Sequence, residues 1–316
     1  MVSVIAVTGC MSAFAEETET EAPTEAVTEA DEEETEAYTG DASDENTRNQ
    51  DEIGEKELLV VSFGTSFNDN RKAAIGAIED AMEAAFPDYS VRRGFTSQII
   101  IDHVKDRDGV AIDNVEEALN RAVDNGVKTL VVQPTHLMNG LEYDELLGTL
   151  AEFSDSFDQV AVGEPLLTSD EDFQAVAEAI TEATSEYNDG TTAIVLMGHG
   201  TEAESNQVYA KMQDILTDGG YENYYVGTVE VEPSLDDVVA AIDGKGYERI
   251  VLEPLMVVAG DHANNDMASD EEGSWKTTFQ EAGYEVEILL TGLGEMEAIQ
   301  NLYVEHAKAA VDSLAE

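Results

Sequence analysis

Positive charge is scarce in this chain. Its 316 residues carry 15 Lys and Arg against 69 Asp and Glu, a formal net charge of −54 with a pI near 4.1. Nucleic-acid affinity rests on cationic side chains that displace counterions, so a surface of this sign speaks against a nucleic-acid partner, and anionic lipid headgroups are repelled for the same reason. Cysteine is nearly absent too: one Cys closes no intramolecular disulfide and supplies no thiolate zinc site, which leaves an apolar core to stabilise the fold. With 42% hydrophobic residues there is material for one. The apolar run at the N-terminus falls far short of the ~20 residues of a membrane-spanning helix.

The first 57 residues differ in kind from the rest. Val2 to Val7 and Met11 to Phe14 form a short, mostly apolar stretch ending in Ala13-Phe14-Ala15 just before Glu16-Glu17, the small-x-small pattern of secretory cleavage, although no Lys or Arg precedes it. Val7-Thr8-Gly9-Cys10 also matches a lipobox, in which the single Cys would carry a lipid. Residues 1–15 therefore read as a signal peptide or lipoprotein signal remnant. The expected location is extracytoplasmic, with membrane attachment only through such an N-terminal lipid. Residues 16–57 hold 18 acidic and two basic residues, with Thr-Glu-Ala recurring at 20–22, 24–26, 28–30 and 35–37. A segment so poor in apolar groups cannot offset its ordering entropy, and it reads as a disordered acidic linker.

From residue 58 the pattern alternates strand and helix. Leu58 to Phe63 is an apolar run before Gly64-Thr65, and Arg71 to Ala85 follows with Ala74, Ile75, Ile78, Met82 and Ala85 at helical spacing. Further strands are expected at 90–95, 129–133 and 160–162, and helices at 114–124 and 143–153. Repeated strand–helix units with apolar strands imply parallel sheets covered on both faces. The pattern then starts over. Leu58-Leu59-Val60-Val61-Ser62-Phe63-Gly64-Thr65 is echoed by Ala193-Ile194-Val195-Leu196-Met197-Gly198-His199-Gly200-Thr201, and Thr129 to Pro134 with Gly140-Leu141-Glu142 by Arg249 to Pro254 with Gly260-Asp261-His262. Gly94-Phe95-Thr96-Ser97 finds a looser partner in Gly227-Thr228-Val229-Glu230. Two similar α/β lobes follow, residues 58–185 and 186–316, with a cleft between them. Ligands of parallel sheets sit beyond the strands' carboxyl ends, where His199, Glu230, His262 and Glu142 all fall. Two imidazoles and a carboxylate suit divalent cobalt, nickel, iron or zinc better than magnesium or calcium.

These residues carry a family resemblance. Leu59-Val60-Val61-Ser62-Phe63-Gly64-Thr65-Ser66, Phe95-Thr96-Ser97 with Arg107-Asp108-Gly109, Asn139-Gly140-Leu141-Glu142-Tyr143, Met197-Gly198-His199-Gly200 and the long stretch from Pro254 to Asp270 resemble the anaerobic sirohydrochlorin cobaltochelatases. Ser274-Trp275-Lys276 and Gly292-Leu293-Gly294-Glu295 continue the match over nearly all of the region from Leu58. The resemblance implies a class II tetrapyrrole chelatase that inserts a divalent metal without a nucleotide. Cobalt is then the substrate metal, with iron or nickel also fitting, and sirohydrochlorin or a relative is the partner. It further implies metal ligation by His199, Glu230 and His262, a role for Glu142 in metal choice and insertion, and self-association as a homo-oligomer.

Removal of two pyrrole protons calls for groups that also accept protons, as imidazole does near neutral pH. For the carboxylates of the macrocycle, Arg92, Arg93, Arg107 and Lys276 are the candidate cations, and Ser62, Thr65 and Ser66 the candidate hydroxyl and backbone donors. His136 reads as a loop or packing histidine near the same strand end, His103 and His306 as surface residues, and Trp275 as core or lobe-boundary packing. The N-terminal extension departs from the usual cytoplasmic setting of such enzymes. It leaves open an exported haem, corrinoid or metal-binding protein associated with uptake, using the same histidines without turnover.

Overall fold

The computed structural model describes residues 5–7, 39–43 and 45–315. The expected signal and the first part of the expected linker thus lie outside the described residues, apart from the backbone of 5–7. Among the described residues the first sheet contains β1 (Ile5–Val7), β2 (Lys56–Ser62), β3 (Ser90–Phe95), β4 (Thr129–Pro134) and β5 (Gln159–Val162) in the order β1-β5-β4-β2-β3. The second contains β6 (Thr192–Gly198), β7 (Tyr224–Thr228), β8 (Arg249–Pro254) and β9 (Glu285–Ile288) in the order β7-β6-β8-β9. Every pairing is parallel. The helices are α1 (Asn68–Asn70), α2 (Ala77–Ala85), α3 (Gln98–Asp108), α4 (Val115–Asp124), α5 (Leu141–Phe153), α6 (Asp170–Ala183), α7 (Gln207–Asp218), α8 (Leu235–Ile242), α9 (Trp275–Glu281) and α10 (Glu297–Ser313), with a π turn over Arg71–Gly76 joining α1 to α2.

The two-lobe α/β reading holds, and the repeat is visible in the register. Val61 of β2 lies opposite Gly94 on one side and Pro134 on the other, and Met197 of β6 opposite Gly227 and Pro254. The central strands β2 and β6 are buried on both faces, which explains why they read as unbroken apolar runs rather than alternating ones. Side-chain caps start the helices where the chain turns back. Ser97 accepts from the Ile100 N–H, and Asn114, Ser169 and Ser234 form capping boxes with Glu117, Asp172 and Asp237.

Two boundaries differ from the expectation. The last helix, assigned to the second lobe, returns to the first: Ile299, Tyr303, Ala307 and Ala310 of α10 join Leu58, Val60, Ile78 and Met82 in one core that also takes in Ile194, Leu196, Tyr209 and Met212. One face of each sheet therefore shares a core with the other lobe. The linker also ends before residue 57. Arg48 is buried and its carbonyl accepts from the Arg93 N–H at 3.2 Å and from Arg92 Nε at 2.7 Å, while its guanidinium pairs with Glu79 and Glu83 at 3.1 Å each. Glu45 pairs with Arg93 at 2.5 Å and with Arg71 at 3.2 Å. The physical reason is that β3 is an edge strand: its unpaired backbone and inward arginines require a covering segment that brings carboxylates.

Candidate functional site

The site begins at the carboxyl end of β6. Gly198 packs so closely on Tyr209 that a Cβ there would stand 2.1 Å from the ring, and Gly200 follows in the left-handed region at φ 91°. Only glycine fits both demands, and between them the chain presents His199 outward. Its Nδ1 lies 2.7 Å from the Gly200 carbonyl. A carbonyl only accepts, so Nδ1 carries the proton and Nε2 is left for a ligand.

Glu230 lies two residues beyond β7. Backbone bonds tie it to the histidine: the Glu230 N–H donates to the His199 carbonyl at 2.9 Å, and the Val229 N–H to Gly198 at 3.0 Å. His262 stands just before the π turn Ala263–Met267, and its Nδ1 meets the Asp266 carboxylate at 2.7 Å, one helical turn on. The two imidazole rings meet edge to face, centroids 4.6 Å apart. One ligand atom each from His199, Glu230 and His262 lie within 4.8 Å of one another. Burial disfavours the charged form of His262, but Asp266, aided by Asp261 and Glu230, outweighs it and holds the pKa above its ordinary value. Two imidazole nitrogens and one carboxylate oxygen form a half-open coordination set that a borderline divalent ion fits.

The opposite lobe contributes the loops after β2 and β4. Gly260, two residues from His262, packs so that a Cβ there would stand 3.2 Å from Thr65 Oγ1, and the Gly140 turn reaches Ser205 of the second lobe in the same way at 3.9 Å. Glu142 is in the first turn of α5 on this seam. Phe63, at the position related by the repeat to His199, is 50% exposed and Leu141 is 45% exposed, so the first lobe offers apolar surface where the second offers ligands.

Not all the candidate residues gather here. Arg93 is buried and bonded through Nε and Nη2 to Glu79 at 2.7 Å each, and Arg92 is likewise buried beneath Arg48, so neither is free to meet a ligand. Lys276 pairs with Asp270 at 2.5 Å, and Arg107 donates to the Ser66 carbonyl at 2.6 Å. Ser62 is buried and its hydroxyl accepts from Thr135 at 2.7 Å; Thr65 Oγ1 accepts from the Phe67 N–H at 3.2 Å. These hydroxyls hold the loop rather than project from it. Trp275 is core. His306 is not a surface residue: its nitrogens lie 3.0 Å from the Glu164 carbonyl and from Asp172, joining α10 to α6. Asp266 is the functional neighbour that the sequence reading passed over, although its i, i+4 spacing from His262 in a helical stretch was a usable signal.

The family model described as cobalt chelatase (CbiK) matches residues 56–312. A sirohydrochlorin cobaltochelatase of Salmonella typhimurium is 36% identical over 261 residues, 83% of this chain and 98% of that one. A second, of Nitratidesulfovibrio vulgaris, is 27% identical over 82% of this chain and 92% of its own. Among solved structures, SirB from Bacillus subtilis with Fe3+ superposes with a TM-score of 0.59 at 14% identity, covering 83% of this chain and 98% of that one. CbiX, described as the terminal enzyme of siroheme biosynthesis in denitrifying bacteria, gives 0.51 at 16%, over 81% and 99%.

Proposed function

Because the chain belongs to the cobalt chelatase (CbiK) family, we propose that it is a sirohydrochlorin cobaltochelatase, inserting Co2+ into the macrocycle without a nucleotide. The observation that carries this reading is the convergence of His199, Glu230 and His262 within 4.8 Å on strand-end loops of one lobe. The incoming ion is substrate rather than cofactor. The three side chains strip part of its hydration shell and present it from one side, leaving coordination positions for the pyrrole nitrogens. Asp266 orients His262, and the Gly200 carbonyl orients His199, each by fixing the proton on Nδ1. Phe63 and Leu141 supply apolar area for the ring face, and Glu142 accepts protons displaced from the pyrrole nitrogens.

The test is anaerobic. Purified protein, sirohydrochlorin and Co(II) are mixed and the absorption spectrum is followed, with His199→Ala/His262→Ala as control. Insertion faster than the double variant supports the enzyme. Tight binding of the macrocycle or of haem with no insertion above background refutes it and leaves a tetrapyrrole-binding protein.

We propose further that the protein is exported and processed after Ala15 or lipidated at Cys10, on the strength of the sequence at 1–15. Cleavage after Ala15 would remove β1, leaving β5 as an edge strand as β9 is in the second sheet. Mass spectrometry of the N-terminus from the source cell decides this; an intact N-terminus on soluble cytoplasmic protein sinks it. Self-association is part of the same reading, tested by sedimentation.

A further inference from the structure

The match to the family model begins at residue 56, yet Thr39, Gly40 and Glu45 pack against the loop that follows β2. Gly40 lies in the left-handed region at φ 104°, so close to Asp69 that a Cβ would stand 2.2 Å from its carboxylate. The Asp69 N–H donates to the Thr39 carbonyl at 3.0 Å, and Asn68 Nδ2 to the Gly40 carbonyl at 3.1 Å. Glu45 then accepts from Nε and Nη2 of Arg71 at 3.2 Å each, a two-point grip on the guanidinium. Burial opposes the charge on Glu45, but Arg93 and Arg71 outweigh it and hold its pKa below the ordinary value.

The other donors of Arg71 turn toward the loop. Nη1 donates to the Thr65 carbonyl at 2.8 Å, and Nη2 also to Asn68 Oδ1 at 2.5 Å. Arg71 is fully buried, so water does not compete for these bonds. Arg107 holds the residue between them, donating to the Ser66 carbonyl at 2.6 Å. Thr65 in turn faces the other lobe, where its Oγ1 is 3.2 Å from the point at which a Cβ on Gly260 would stand, two residues from His262. Phe63, two residues before Thr65, offers its half-exposed ring. An unbroken run of hydrogen bonds thus links Glu45 through Arg71 to the backbone of the loop that abuts the His262 turn.

Resting on the chelatase reading, we propose that Arg71 is a positioning residue for the macrocycle-binding side of the cleft, set in place by Glu45 of the segment that precedes the matched stretch. With its guanidinium on the Thr65 carbonyl and on Asn68, the loop 63–68 is fixed where Phe63 meets the ring. Glu45 and Arg71 act through this loop and not on the metal, whose ligands are oriented within the second lobe by the Gly200 carbonyl and Asp266. Loosening the loop weakens macrocycle binding and leaves metal ligation intact. The end of the acidic N-terminal segment is then a working part of the site rather than spacer.

The experiment follows Co(II) insertion into sirohydrochlorin by the full chain and by its Arg71→Met and Glu45→Gln variants, at a temperature where circular dichroism shows each to be folded. Expected is a rise in KM for sirohydrochlorin of about fivefold or more in Arg71→Met and more than about twofold in Glu45→Gln, with kcat and the Kd for Co(II) alone within about twofold of the parent. A merely weakened fold would not produce that split. In the Arg71→Met background, Glu45→Gln adds nothing further to KM, because it acts through Arg71. Should Arg71→Met not fold, Glu45→Gln decides by itself. Smaller rises in KM, or a Kd for Co(II) that weakens in step with KM, overturn the positioning role. Absence of insertion by the parent would instead overturn the chelatase reading on which it rests.

Discussion

Glu253 provides a test of the electrostatics of the second lobe. It lies on β8 opposite Leu196, between Val251 and Leu255 of the shared core, and is only 2% exposed. Its Oε2 has no hydrogen-bond partner among the described residues. Burial pushes its pKa up from 4.5 to about 8. The native state thus binds the proton more tightly than the unfolded chain. The associated stability is complete below pH 4.5 and is lost as the pH rises through about 8. A shift of that size corresponds to about 1 kcal/mol lost at pH 5, about 3 kcal/mol at pH 7 and up to about 5 kcal/mol at pH 9. Glu253→Gln removes the titration while keeping the shape. The repeat-related position in β4 already carries an amide: Gln133 donates to the Pro134 and Glu164 carbonyls at 2.8 and 2.9 Å. The assay is urea unfolding of parent and variant at pH 5, 7 and 8.5. The variant is expected to be more stable by an amount that grows with pH, with insertion activity unchanged because Glu253 is buried within β8 and is not one of the three ligand residues. A stability difference that stays constant from pH 5 to 8.5 would refute the reasoning.

Asp266→Asn leaves His262 without the carboxylate that orients it and lowers its basicity as a ligand. Co(II) affinity, followed by visible absorption, is expected to fall about 10- to 100-fold, and an unchanged affinity would remove Asp266 from the site. Glu45→Ala leaves Arg71 and Arg93 buried without one of their carboxylates. Thermal unfolding should report a loss of about 3 kcal/mol, whereas a substitution at the exposed Asp41 should change little. A fragment starting at residue 58 lacks Glu45 and Arg48 altogether, and should fold less stably than one starting at 39. The net charge of −54 repels a polycarboxylate substrate. KM for sirohydrochlorin is therefore expected to fall as salt is raised from about 10 to 150 mM and the Debye length contracts; a rise in KM would instead reveal a cationic contact that the structure does not suggest.

Much of the site was legible before the fold was known. The strands β2 and β6 announce themselves by unbroken apolar runs, and Gly198 and Gly200 mark His199 as a residue held by backbone geometry rather than packing. The ordered echo of one half in the other placed Glu230 and His262 at strand ends without any knowledge of distances. These signals are local: periodicity and turn chemistry act over a few residues, and in a parallel sheet the strand end is where a side chain is presented to a ligand. His306 shows the opposite. It sits in a helical stretch and has no local mark that separates a surface residue from a brace between α10 and α6.

Apolar periodicity and the internal echo along the chain thus determined the two-lobed α/β class and the repeat, and put His199, Glu230 and His262 at strand ends, while the family resemblance supplied their reading as ligands. Tertiary structure alone decided which charges are available. Arg93 looks like a cation waiting for a carboxylate, but it already holds two, Glu79 through Nε and Nη2 and Glu45, which reaches it from 48 positions away in a segment that reads as linker. The same holds for the C-terminal helix, whose apolar face completes the first lobe's core. Partners so far apart in sequence are selected by the geometry of the collapsed chain, where burial makes an unpaired charge costly and any nearby carboxylate valuable, and no pattern along the chain records that choice.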